Sequence, residues 1–373
     1  MNFEFSEDQK LLKEQVRRFL EDNCGSKDVR TVLDGTDTYN TAVWNGLKDL
    51  GVLGTAIPEE YGGSGAGYLE LCVIAEELGR AVAPVPFSSS VYLASEVLLT
   101  AGSEEQKQTY LPKIASGDVI ATIAVSEHSG RLDPATLFLT ASHGTLKGSK
   151  TPVPDGTIAD IAIVAARTGT NPRDVSLYLV DLHQDGFSRK TLDSIDPTRD
   201  LAEIALNDVH GEQIGETNRG WDIIEKVFDK AAVLFAFEQL GGAQKALESA
   251  VDYAKERYAF GRPIGSFQAV KHMLADMYVS AELARSNCYY GAWALSTDAP
   301  ELAEAAATAR VAATKAYQHC SKNNIQTHGG MGFTWEFDCH LHYRRSNLLA
   351  LIIGSQSQWE DTLIDRLEAR NAA

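Results

Sequence analysis

What most limits the fold of this chain is a change of periodicity, from helical to extended and back, near residues 118 and 216. On the N-terminal side Ser6-Glu7-Asp8-Gln9 reads as a capping box, with Ser6 as N-cap and Gln9 reaching back from N3. Leu11, Leu12, Val16, Phe19 and Leu20 follow at helical spacing and form one apolar stripe. Further helices are expected over Thr41–Leu50, Tyr68–Arg80 and Ser90–Thr100, and another from Ser103-Glu104-Glu105-Gln106. Pro58-Glu59-Glu60-Tyr61-Gly62-Gly63-Ser64-Gly65 reads as a loop between two of them.

From Val119 to about Glu216 the chain alternates short β-rich runs with turn clusters; Val119–Val125, Ile161–Val164 and Val175–Val180 are the clearest. Short strands separated by Gly, Pro, Asn and Asp predict an antiparallel β-domain rather than a parallel α/β sheet. After Gly220 four long helices are expected, about Trp221–Tyr258, Ser266–Leu295, Glu301–Thr327 and Glu336–Ala369, and short connections favour a bundle. The expected class is α+β. Its domains are an N-terminal helical domain at 1–118, a middle antiparallel β-domain at 119–216 and a C-terminal four-helix bundle at 217–373.

Charge and cysteine usage narrow the function classes. The net charge of −17 argues against broad binding to a phosphate backbone, which needs clustered Lys and Arg. No apolar run reaches the roughly 18 residues that would span a bilayer. Met1-Asn2-Phe3-Glu4-Phe5-Ser6 has neither the basic nor the apolar part of a signal peptide. Five scattered cysteines without a CxxC fit reduced thiols, so a cytoplasmic protein is expected.

No Gly-x-Gly-x-x-Gly follows a strand and opens a helix, and no P-loop is present, which disfavours Rossmann and P-loop chemistry. Cys339-His340-Leu341-His342 has poor ligand spacing, since helix positions two apart do not share a face, and no metal is expected there. Three segments stand out. They are the Pro58–Gly65 loop, Arg257-Tyr258-Ala259-Phe260-Gly261-Arg262-Pro263-Ile264-Gly265-Ser266-Phe267-Gln268, and Gln326-Thr327-His328-Gly329-Gly330-Met331-Gly332-Phe333. Singly, each reads as an ordinary inter-helix loop with glycine caps, Gly261 among them.

Together and in this order, the three resemble the acyl-CoA dehydrogenase family. The resemblance runs along nearly the whole chain and includes Leu146-Lys147-Gly148-Ser149-Lys150 in the β-rich region and Phe228-Asp229-Lys230 on the first bundle helix. It implies an FAD enzyme that desaturates acyl-CoA thioesters at Cα–Cβ, a glutamate taking the α-proton while the β-hydride goes to flavin N5. The flavin carries the redox chemistry, and the protein supplies the base, orientation and hydrogen bonds to the thioester carbonyl. It also implies an acyl-CoA substrate, an electron-transfer acceptor and an oligomer in which each FAD spans two subunits. One subunit surrounds the isoalloxazine; its neighbour lends part of the adenosine diphosphate site. On the lending side this chain matches. Arg257 takes the place of the arginine that meets the pyrophosphate, with Phe260 and Gln268 as companions. Gln326, Gly329 and Gly330 match the turn that lets backbone approach the adenosine and pyrophosphate.

On the receiving side it departs from the family. Tyr343-Arg344-Arg345 stands for a family Tyr-Arg-Asp, and Ile353 takes the place of the glutamate of a Glu-Gly-Thr. The other family position for the base, on the first bundle helix, is Ala231, followed by Ala232 where the family has arginine. Glu238 lies two helical turns beyond Ala231, roughly 10 Å away, too far for the same proton transfer. The family's Thr-Glu-Pro-x-Ala-Gly-Ser-Asp is shortened to Ser126-Glu127-His128-Ser129-Gly130-Arg131, and its Lys-x-Trp-Ile-Thr-Asn becomes Lys150-Thr151-Pro152-Val153-Pro154-Asp155. Pro152 and Pro154 offer neither an N–H nor a hydroxyl to a flavin.

The expectation is a chain that donates to a partner's FAD and cannot complete its own site. It would be a subunit of a heteromeric acyl-CoA dehydrogenase whose paralogous partner carries the base. Paired enzymes of this kind, two chains of each type with half the usual flavin, are similar and act in bacterial breakdown of steroid side chains. A steroid-derived CoA thioester is therefore what the resemblance implies as substrate. An active homotetramer with a relocated base, and a non-catalytic acyl-CoA-binding scaffold, are the alternatives.

Overall fold

The computed structural model describes residues 5–128 and 130–372, so Met1 to Glu4 of the N-terminal run and Ser129 of the shortened strand motif lie outside it. Helices come first: α1 (Glu7–Asn23), α2 (Ser26–Leu33), α3 (Thr41–Asp49), α4 (Tyr68–Arg80), a buried π-helical stretch (Ser88–Ala94) continuing into α5 (Ser95–Ala101), and α6 (Glu104–Ala115). Strands follow: β1 (Ala121–Ala124), β2 (Thr140–Ser142), β3 (Thr145–Pro154), β4 (Ile161–Arg167), β5 (Val175–Asp181), β6 (Phe187–Thr191), β7 (Leu201–His210) and β8 (Glu212–Ile214). The chain then forms α7 (Gly220–Glu256), a short hairpin of β9 (Tyr258–Ala259) and β10 (Arg262–Pro263), α8 (Gln268–Ser296), α9 (Leu302–His328), α10 (Cys339–Leu349) and α11 (Gln356–Ala372).

Two compact units emerge. The first takes the described residues up to Val29, Tyr68–Ala83 and those from Ala232 onward; the second takes Arg30–Gly67 and Pro84–Ala231. In the first, α4 and α7 cross with their backbones touching. A Cβ on Gly79 would lie 1.7 Å from the Glu238 carbonyl oxygen, and one on Gly241 would lie 1.8 Å from that of Glu76. Only glycine permits this approach. Charge pairs tie α4 to its neighbours: Arg17 of α1 grips Glu77 through two hydrogen bonds of 2.8 and 2.7 Å. Glu76 meets Lys13 at 2.5 Å and Arg285 of α8 at 3.1 Å.

The expected fourth long helix is two helices, broken between Leu349 and Gln356. Gly354 stands at φ +106, a backbone state that stops the helix, and the Ser355 hydroxyl accepts the N–H of Gln358 at 3.2 Å as a new cap. Trp359 Nε1 donates to the Ile353 carbonyl at 3.1 Å and holds the break.

In the second unit the sheet order is β6-β7-β3-β2-β4-β5-β8, with β1 paired to β4. Most neighbours are antiparallel, but β1–β4 and β2–β4 are parallel, so the sheet is mixed rather than purely antiparallel. The physical reason is connectivity: a parallel pair needs a long crossover, and the segment from Pro134 through the β2–β3 hairpin provides it. Capping boxes at Ser6 and Ser103 are both formed.

Candidate functional site

The sequence-nominated donor residues all lie in the helical unit, at one end of α7 and α9. Helix α7 ends as the Arg257 N–H donates to the Tyr253 carbonyl at 2.8 Å. A two-residue hairpin turn follows, in which Phe260 and Gly261 both hold positive φ, +53 and +78. Gly261 is therefore a hairpin residue, not a helix cap. The turn throws Phe260 outward, 96 % exposed, with Phe267 edge-on to its ring at 6.3 Å. Arg257 and Gln268 are exposed, and neither side chain has a hydrogen bond or ion pair among the described residues. The Ser266 hydroxyl in the same loop is buried and also lacks a partner there.

At the end of α9, Gln326, Gly329 and Gly330 are exposed as well. Gly329 needs its glycine for φ +59, whereas Gly330 has no such demand, and a Cβ on either would meet nothing within 4 Å. The chain's own packing therefore gives no reason for a glycine at 330. The two segments are brought together by the Tyr253 ring, which stacks on His328 at 4.0 Å, with Phe337 edge-on to both. Among the described residues, an arginine without a counter-ion, two free amides and an open glycine turn fit a phosphate-bearing group approaching from outside.

The positions to which the resemblance assigns a base are different in kind. Ile353 is 3 % exposed, and its carbonyl is occupied by Trp359. Ala231 and Ala232 are fully buried. Glu238 is buried too, and its carboxylate lies 3.7 Å from Arg345, the residue that replaces the family aspartate. Arg310 completes the cluster: it donates to Gln239 at 2.8 Å and to the Leu349 carbonyl, and burial pushes its pKa down to about 9. Glu238 is thus placed as a buried counter-ion to Arg345.

In the second unit the two altered strand motifs are joined to each other. Lys150 is fully buried and donates to Glu127 at 2.7 Å and to the Val125 carbonyl at 3.0 Å. Glu127 also accepts the N–H groups of Phe138 at 2.6 Å and Leu139 at 2.9 Å, so its lone pairs are engaged. Burial lowers the Lys150 pKa to about 8, against the pull of Glu127. Pro152 and Pro154 stand in β3, and the Pro154 carbonyl accepts the Thr122 hydroxyl. The residues on these strands thus do not fit an isoalloxazine that needs donors at those two positions.

One acidic residue escaped the sequence reading. Glu96 of α5 is 4 % exposed, and Lys230 meets it at 2.6 Å, so it is held as an ion pair rather than poised as a base. A glutamate inside the apolar run Val91–Leu99 was the available signal. In the Cys339–His342 segment, His340 stacks on Trp335 at 4.5 Å and His342 Nδ1 meets the Tyr317 hydroxyl at 3.0 Å.

Residues 6–118 match the model of the acyl-CoA dehydrogenase N-terminal domain, and residues 218–366 that of the C-terminal domain. The chain is 32 % identical over 364 residues to acyl-CoA dehydrogenase IpdE2 of Mycobacterium tuberculosis, covering 97 % of each. It is similar to the crystal structure of the ChsE4-ChsE5 complex from Mycobacterium tuberculosis, with TM-score 0.89, 26 % identity and 99 % of both chains covered. It is also similar to a variant of the Tcur3481-Tcur3483 steroid ACAD, with TM-score 0.89, 28 % identity, and 98 % and 99 % covered.

Proposed function

The chain belongs to the acyl-CoA dehydrogenase family, FAD-dependent oxidoreductases acting on CH–CH donors, and on that footing we propose that it serves as one subunit of a heteromeric enzyme. The observation that carries this reading is Ile353. A buried isoleucine stands where the base is needed, and two buried acidic residues, Glu238 and Glu96, are each paired with a cation. Bound FAD supplies the hydride acceptor for Cα–Cβ desaturation. This chain's contribution lies at the other end of a partner's FAD. Arg257 neutralises the pyrophosphate, Gln268 and Gln326 offer amides, Phe260 projects onto the partner, and Gly329–Gly330 let backbone N–H groups come close.

A paralogous subunit with an intact glutamate supplies the base, and reducing equivalents leave to an electron-transfer acceptor. The names of similar proteins, a ChsE4-ChsE5 complex and a steroid ACAD, favour a two-plus-two heterotetramer and a steroid side-chain CoA thioester. No described helix is long and apolar enough to cross a membrane, and five buried free thiols suit the reducing cytoplasm. The test is an acyl-CoA oxidation assay with an artificial acceptor on this chain alone, on its paralogue alone and on the two co-expressed. Turnover confined to the co-expressed sample is the expected result; equal turnover by this chain alone would reject the reading.

A further inference from the structure

The helical unit contains a cavity of about 270 Å³, apart from the Arg257 and Gly329 loops. It lies among α1, the start of α2, the end of α4, α7 and α10. One wall is apolar: Leu20, Val29, Val82 and Leu341 are each at most 5 % exposed. Val82 stands at φ +51, a conformation that β-branched residues seldom adopt. Arg345 holds it there by donating to the Val82 and Ala83 carbonyls at 3.3 Å each.

The other wall is polar, and most of its charge is already paired. Arg17 is bound to Glu77, and Arg80 meets Glu248 at 2.5 Å. Lys245 is exposed, and its ammonium has no ion partner among the described residues. His342 is 9 % exposed; its Nδ1 meets the Tyr317 hydroxyl, while Nε2 has no hydrogen-bond partner among the described residues. Burial, then Lys245, Arg345 and Arg80 outweighing Asp338, push the ring's pKa down to about 3, so it is neutral in a positive field. Such a field favours an anion beside Nε2. The anion selects the tautomer in which Tyr317 donates to Nδ1 and Nε2–H points outward. Glu21 and Asp338 also line the cavity, both exposed, and they disfavour a second negative charge.

We propose that this cavity binds a small monocarboxylic acid with an apolar body, its carboxylate on Lys245 and the His342 Nε2–H and its hydrocarbon against Leu20, Val29, Val82 and Leu341. One unpaired cation and one open donor match a single carboxylate. A dianionic phosphate would leave charge uncompensated.

The test is calorimetric titration of the full chain, in the assembly in which it purifies, with hexanoate. Saturable binding at one site per chain is expected, with hexan-1-ol and hexylammonium weaker by about tenfold or more. Lys245→Met, at an exposed position, should weaken hexanoate by about tenfold at unchanged thermal stability. Leu341→Trp, which fills the apolar wall, should abolish binding. The absence of saturable binding overturns the proposal, and so does hexanoate binding that Lys245→Met leaves unchanged. The readout is binding by this chain, so its failure is distinct from failure of the proposed pairing with a paralogue.

Discussion

Glu238 Oε1 lies 3.7 Å from Arg345 Nη1, and neither side chain is more than 2 % exposed. This pair decides what Glu238 does. It compensates two buried guanidiniums, Arg345 and Arg310: burial pushes the Arg310 pKa down, and the Glu238 charge opposes that shift. Removing one partner of such a buried pair costs about 3–5 kcal/mol, since the other charge is left uncompensated. Glu238→Gln should therefore lower the stability of the chain by about that much in urea denaturation, while the assembled complex keeps its turnover. Unchanged stability with lost turnover would make Glu238 a base after all.

Arg257 and Gly330 test the lending side together. Arg257→Ala should loosen FAD in the assembled complex by roughly 10- to 100-fold, the worth of one charge-assisted contact to phosphate. Its guanidinium has no partner among the described residues, so thermal stability should hold. Gly330→Ala has open space for its methyl group and should also leave the fold intact, yet should weaken FAD where backbone must approach closely. Equilibrium titration of flavin fluorescence reads both. Full flavin affinity in the two variants would detach these residues from the cofactor.

Lys150 gives a pH signature. Its pKa in the folded chain is pushed down to about 8 by burial, below the ordinary lysine value of 10.5. Between these values the unfolded chain holds the extra proton, so this group's contribution to stability rises with pH across the window and is lost as pH falls through about 8. The difference in urea stability between the native chain and Lys150→Met should therefore grow in favour of the native chain from about pH 8 to pH 10.5. A difference that stays flat would mean that Lys150 titrates normally.

Ile353→Glu separates a missing base from a missing site. The new carboxyl would sit in a position only 3 % exposed, where burial raises its pKa, and Ala232 offers no arginine to hold it. Pro152 and Pro154 remain unable to donate to a flavin. Assembled with a partner whose own glutamate is changed to Gln, Ile353→Glu should oxidise acyl-CoA no faster than the base-less control at equal flavin content. Turnover near the native level would reveal a working pocket in this chain.

Local signals were legible in the sequence and long-range ones were not. The Ser6 and Ser103 capping boxes and the Tyr68–Arg80 helix depend on neighbours within a few residues, and the structure reproduces them. The break after Leu349 was also written locally, in Gly354-Ser355, but the apolar run through Ile353 read as a continuing helix. The parallel β1–β4 pairing joins Ala121 to Ile161 and has no local signature. The same holds at the site. The loop that carries Arg257 and Phe260 was legible, whereas the pairings of Glu238 with Arg345, Glu127 with Lys150 and Glu96 with Lys230 depend on tertiary packing. Replacement of the family aspartate by Arg345 was visible, but the glutamate that balances it was not.

Counting flavin decides whether this chain lends to a partner's flavin while holding none itself. This chain is purified alone and with its paralogue, and bound FAD is measured by absorbance against protein mass. The expected result is a colourless chain alone and a co-purified heterotetramer with about one FAD per two chains. A yellow homo-oligomer of this chain alone, with one FAD per chain and acyl-CoA oxidation to match, would contradict it.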